Sequence, residues 1–125
     1  MRSPWLLIGA VLAGLAVVAG AFGAHALRDR LVPPHAGWYD LAVRYQMYHG
    51  LALVALGAVS TRRVRVGAAA GCLLVGTLIF CGTLYLMALA DLRWLGAVTP
   101  IGGTLLLIGW LALAIAAGRR RGFGQ

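Results

Sequence analysis

Val66-Gly-Ala-Ala-Ala-Gly-Cys72-Leu-Leu-Val-Gly-Thr77-Leu-Ile-Phe-Cys81-Gly-Thr-Leu-Tyr85-Leu-Met-Ala-Leu-Ala90 is a run of 25 residues without a charge, bounded by Arg65 and Asp91. A helix rises about 1.5 Å per residue, so roughly 20 apolar residues cross a hydrocarbon core about 30 Å thick. Three comparable stretches fill most of the remaining chain, and 125 residues leave little for a soluble domain. The expected fold is an all-α integral membrane protein: a compact antiparallel bundle of four transmembrane helices at about residues 4–27, 38–61, 66–90 and 99–118. The whole chain, 1–125, reads as a single membrane domain.

Composition agrees. Hydrophobic residues make up 62% of the chain and charged residues 11%, with a mean hydropathy of +0.89; soluble domains carry roughly 25% charge. All 11 basic residues are arginine, against three aspartates and no glutamate, for a net charge of +8. In a soluble protein that balance would suggest nucleic acid. Here the arginines form short clusters at the ends of apolar segments, where they suit anionic headgroups and set orientation, so no nucleic-acid partner is expected.

The first run, Trp5 to Ala26, ends in Ala24-His25-Ala26, which imitates a signal peptidase site. Its 22 uncharged residues exceed the roughly 7–15 of a signal core, so it is expected to stay in the membrane. The second run has 17 uncharged residues, Tyr45 to Thr61, so its helix should start upstream near Trp38. Asp40 and Arg44 then form an acid-before-base pair in the interface, worth a few tenths of a kcal/mol. Pro33-Pro34 cannot continue a helix, which makes residues 28–37 the main extramembrane loop. Thr99-Pro100 reads as a helix cap and first helical position, with Trp94 to Val98 as an apolar interfacial lead-in.

Arg2, Arg62, Arg63, Arg65, Arg119, Arg120 and Arg121 share the side of both termini, while Arg28, Arg30, Arg44 and Arg93 lie opposite with all three aspartates. The positive-inside rule therefore places both termini in the cytoplasm. Trp38, Tyr39, Tyr45 and Trp94 form the outer aromatic belt and Trp5 marks the inner one. Small residues at helical spacing predict close helix contacts: Gly9, Ala13, Ala16, Gly20 and Ala24; Gly50 and Gly57; Gly67 and Gly71; Gly102, Gly109 and Ala116.

Chemistry is confined to a few polar groups. His49 shares a helix face with Gln46, Leu53 and Gly57 and should point inward, whereas His25 lies off the small-residue stripe of its helix. Two histidines facing one cavity could relay protons or hold a metal, but two ligands are too few and no carboxylate or cysteine stands near them in sequence. Cys72 and Cys81, nine residues apart, lie about 180° around and about 13 Å along one helix and cannot bond each other. Thr77, Thr83, Tyr85 and Gln46 suit hydrogen bonds between helices. The start of the fourth helix, Thr99-Pro100-Ile-Gly102-Gly103, exposes backbone N–H groups near Arg93, a place for an anionic headgroup or carboxylate. No catalytic set, metal site or cofactor is expected.

Four blocks go further: Gly20-Ala-Phe-Gly-Ala-His25-Ala-Leu27, Tyr45-Gln-Met-Tyr-His49, Gly82-Thr-Leu-Tyr85-Leu-Met-Ala-Leu89 and Arg93-Trp-Leu-Gly-Ala-Val-Thr-Pro-Ile-Gly-Gly103. In order and spread over nearly the whole chain, they closely resemble the domain of unknown function 423 family, whose eukaryotic relatives are called transmembrane protein 256. The resemblance implies a small four-helix protein of the bacterial inner membrane, with no established activity, substrate or cofactor. Gly50, Cys81, Thr83 and Val98 depart slightly from the family's usual residues. The matched positions His25, His49, Tyr85, Thr99, Gly102 and Gly103, together with Arg93, form the candidate ligand-binding set.

Three functions compete. The leading one is a structural or accessory protein that binds membrane lipids, anionic ones included, and joins a homo-oligomer or a larger membrane complex. The second is a small transporter or channel with an outward-facing polar site around His25 and His49. It needs a polar path that the inner half of the helices does not continue. The third, an intramembrane enzyme, lacks a nucleophile-and-base set.

Overall fold

The computed structural model describes residues 3–60 and 66–122, with side chains described through Arg119. Among these residues all regular structure is helical: α1 (Pro4–Ala24), α2 (His35–Val59), α3 (Gly67–Ala90) and α4 (Thr99–Gly122), with a 3₁₀ segment at Arg93–Ala97 before α4. Among the described residues three stretches are long and apolar enough to cross a membrane: α1, α3 and Arg93–Arg119, which carries α4. The more polar α2, with Asp40, Arg44, Gln46 and His49, is not among them.

Local chemistry explains the helix ends. Ser3 caps α1 by accepting from the Trp5 N–H at 3.4 Å, and Pro4 takes the first helical position, where its missing N–H costs nothing. α1 stops at Ala24, three residues before the expected 27, because the Leu27 N–H reaches back to the Phe22 carbonyl at 3.0 Å in a closure typical of helix C-termini. α2 starts three residues earlier than the expected 38, immediately after Pro34, whose carbonyl receives the Trp38 N–H at 3.2 Å. α3 ends on Asp91 in the left-handed conformation, φ 55°, which aspartate tolerates better than most side chains. α4 starts at Thr99 as expected and continues to Gly122, past the expected 118. The Thr99 hydroxyl does not cap forward, however. It turns back to the Leu95 carbonyl at 3.0 Å and to the Thr83 hydroxyl at 2.7 Å.

Successive helices are antiparallel and pack in chain order, α1 on α2, α2 on α3, α3 on α4. α1 and α4 make no comparable contact, so the expected bundle does not close into a ring; α2 and α3 form its centre and α1 and α4 its flanks. Glycine contacts, Gly9 and Gly76 among them, set the spacing of α1 on α2 and of α3 on α4. A Cβ on Gly9 would stand 2.5 Å from the Gly50 carbonyl oxygen, and one on Gly76 would stand 2.9 Å from the Leu106 nitrogen and 3.0 Å from the Gly102 carbonyl oxygen. Lipid supplies no hydrophobic force between helices, so this backbone approach is what their association relies on. Gly76 replaces the expected Gly67 and Gly71, which face open space. Ala24 and Ala116 are likewise exposed rather than packed. Arg2, Arg62, Arg63 and Arg65, four of the seven arginines expected on the cytoplasmic side, lie outside the described residues.

Candidate functional site

The buried polar side chains of the helices are satisfied by one another and by backbone carbonyls. Gln46 on α2 donates from Nε2 to the Leu12 carbonyl of α1 at 2.9 Å and accepts at Oε1 from the Tyr85 hydroxyl of α3 at 2.6 Å, which ties three helices through one side chain. The Tyr39 hydroxyl donates to the Ala19 carbonyl of α1, and its ring meets Tyr85 edge-on at 5.4 Å. Among the described residues no buried side-chain nitrogen or oxygen lacks a partner.

His49 is bonded at both ring nitrogens. Trp110 on α4 has only a donor to offer, so its Nε1–H donates to His49 Nε2 at 3.1 Å. The proton of the neutral ring must then sit on Nδ1, where it donates to the Tyr45 carbonyl at 2.8 Å. Gln46, His49, Leu53 and Gly57 are all buried, the shared inward face expected from their spacing. Trp110→Phe keeps the ring but removes the N–H. It should cost about 1 kcal/mol, read as a lower midpoint of unfolding in sodium dodecyl sulfate. A midpoint equal to the wild type would show that this α2–α4 bridge contributes nothing.

The remaining candidates do not converge. His25 is exposed beyond α1 and does not meet His49. His49 and Gly103 line a cleft of about 550 Å³ between α2 and α4, walled by Tyr45, Phe80 and Trp110. Tyr85 belongs to the α1–α2–α3 seam, Thr99 to the pair with Thr83, and Gly102 is seated against Phe80 and Gly76. Among the described residues no three His, Cys, Asp or Glu side chains form a metal-binding group.

Arg93 belongs to a cluster that spacing alone does not reveal. Asp91 Oδ1 accepts from His35 Nε2 at 2.7 Å and from Arg93 Nε at 2.9 Å, and the Arg93 guanidinium lies 5.6 Å over the Trp38 ring. The cluster clasps the start of α2 to the end of α3. The hydrogen bond from His35, then that from Arg93, holds the Asp91 carboxyl below its ordinary value of 3.8. A depressed carboxyl stabilises the fold above its unfolded value, and that contribution fades as pH falls through the lower folded value. Unfolding midpoints should therefore drop on acidification from about pH 5 to about pH 3. Asp91→Asn, which still tolerates φ 55° but cannot ionise, should flatten that part of the profile. An unchanged profile would remove Asp91 as its source.

Residues 19–103 match the family described as "Protein of unknown function (DUF423)". Proteins named "UPF0382 membrane protein" are similar over most of their length. One from Staphylococcus epidermidis is 47% identical over 113 residues, 90% of this chain and 93% of that protein. A second, from Staphylococcus saprophyticus, is 44% identical over 112 residues, 89% and 93% of the two chains. One from Staphylococcus aureus is 42% identical over 113 residues, 90% and 93%. No solved structure matches the chain.

Proposed function

The chain belongs to the DUF423 family of membrane proteins, and from that premise we propose a structural or accessory protein of a bacterial inner membrane that holds lipid and docks on a larger complex through its outer helix faces. The observation that carries this reading is the commitment of Gln46, Tyr85 and His49, together with the half-exposed Trp110 on α4, to bonds between helices. What remains for recognition is the outside. Leu7, Val11, Leu15 and Val18 on α1 and Leu107, Leu111 and Ile115 on α4 present an apolar surface. We assign no catalytic role.

The chain crosses the membrane four times in this reading. α2 has 25 residues, about 37 Å of helix, and is packed lengthwise between α1 and α3, so it traverses the same thickness as its neighbours. Four crossings put both termini on one side, the cytoplasmic one by the arginine count. A pore around His25 and His49 finds less support, since His25 lies outside the bundle and both nitrogens of His49 are occupied.

The test is native mass spectrometry of the protein extracted gently from its own membrane. A bound partner, a defined oligomer or retained lipid is the expected result. A bare monomer in every mild detergent would count against the accessory reading.

A further inference from the structure

We infer that the cleft between the end of α1 and the first turns of α2 holds a phospholipid with an amine-and-phosphate headgroup, the phosphate on Arg28 and the ammonium on Asp40. The inference rests on the lipid-holding reading above and names the site and the lipid class. The cleft spans about 350 Å³ over a floor where Gly20 and Gly23 meet Val43 and Tyr39, with Arg28 and Asp40 at its polar edge. That volume is near the lower limit of ligand sites, enough for a headgroup and the start of its chains.

Charge complementarity selects the occupant. Arg28 has no ion-pair partner among the described residues. A guanidinium is the side chain best matched to a phosphate. Asp40 uses Oδ2 for Arg44, at 3.1 Å, and its Oδ1 has no partner among the described residues. A carboxylate in the same cleft disfavours a purely anionic headgroup and welcomes an ammonium that donates hydrogen bonds. The adjoining C-terminal end of α1 carries no basic residue in its last turn, and its partial negative charge acts in the same direction. Tyr39 and Trp38 sit at the same level of α2, where aromatic rings mark the headgroup region. The Arg93 cluster is a weaker host, because its guanidinium is already engaged by Asp91 and Trp38.

The full-length protein in mild detergent is titrated with phosphatidylethanolamine, phosphatidylcholine and phosphatidylglycerol of identical acyl chains, and bound lipid is counted by native mass spectrometry. Phosphatidylethanolamine should be retained about three- to five-fold better than the other two, a modest ratio because both charged groups are exposed. Phosphatidylcholine has the charge but no N–H to give Asp40, and phosphatidylglycerol has no cation. Arg28→Gln should weaken retention of all three, and Asp40→Asn should erase the preference for the amine. Arg44→Gln, which breaks the same ion pair without altering the cleft lining, should keep it. Equal retention of the three lipids, or a preference that survives both Arg28→Gln and Asp40→Asn, would overturn the site while the lipid-holding reading stands. Retention of no lipid of any class would overturn both.

Discussion

Gly102→Ala destabilises the protein by about 1–3 kcal/mol, whereas the same one-carbon addition at Gly71 is neutral or stabilising by up to about 1 kcal/mol. The two sites differ only in what the new carbon meets. At Gly102 a Cβ would lie 2.9 Å from the Gly76 carbonyl oxygen and 2.9 Å from the Phe80 Cα, both backbone atoms that cannot swing aside. α3 and α4 would have to separate, losing the contact between Gly76 and Leu106 as well. At Gly71 nothing stands within 4 Å, and alanine simply removes backbone freedom from the unfolded chain. Unfolding in sodium dodecyl sulfate, followed by far-ultraviolet circular dichroism, reads both. Equal midpoints for the two variants would mean that the α3–α4 backbone approach contributes nothing to stability.

The order of residues along the chain specifies the helices and their inward faces but not their mutual rotation. Uncharged runs locate α1, α3 and α4, and Thr99-Pro100 places the start of α4, because length and backbone chemistry act locally. The inward face of α2 follows from the helical spacing of Gln46, His49, Leu53 and Gly57. Partners across helices are a different matter. Trp110 reads as one more apolar residue in a lipid-facing segment, and nothing near it in sequence points to His49, 61 positions away. His35 reads as loop while α2 is expected to begin at 38, so its bond to Asp91 is invisible, as is the role of Asp91 in clasping Arg93. On α3 the glycines occupy two faces of one helix, and periodicity alone cannot say which face meets α4. Contact with Gly102 and Leu106 selects Gly76 and leaves Gly71 facing outward. The same holds for the candidate site. Its seven residues share an end of the chain's segments, yet packing disperses them among a seam, a cleft and a surface cluster.

Gln46→Leu should cost more than Tyr85→Phe, and the double variant should cost less than the sum of the two. Gln46 is 8% exposed and holds α1 through the Leu12 carbonyl and α3 through the Tyr85 hydroxyl. Leucine removes both links and leaves a half-buried hydroxyl without a partner, about 1–3 kcal/mol for an unsatisfied group. Tyr85→Phe removes one link and leaves the Gln46 Oε1 lone pairs unbonded, while the link to Leu12 persists. With both changes no orphaned polar atom remains between α2 and α3, so part of the penalty disappears. The coupling between the two positions should be about 0.6–1.7 kcal/mol, the range for side-chain hydrogen bonds inside membrane proteins. Because Gln46 joins α1 to α3 by way of α2, its loss should also let α1 detach at lower detergent fraction than α3 and α4, visible as a second transition. A probe on α1 and one on α4 would separate the two events. Additive single effects would show that the Gln46–Tyr85 bond contributes nothing, and one transition at both probes would show that Gln46 is not what holds α1 to the centre of the bundle.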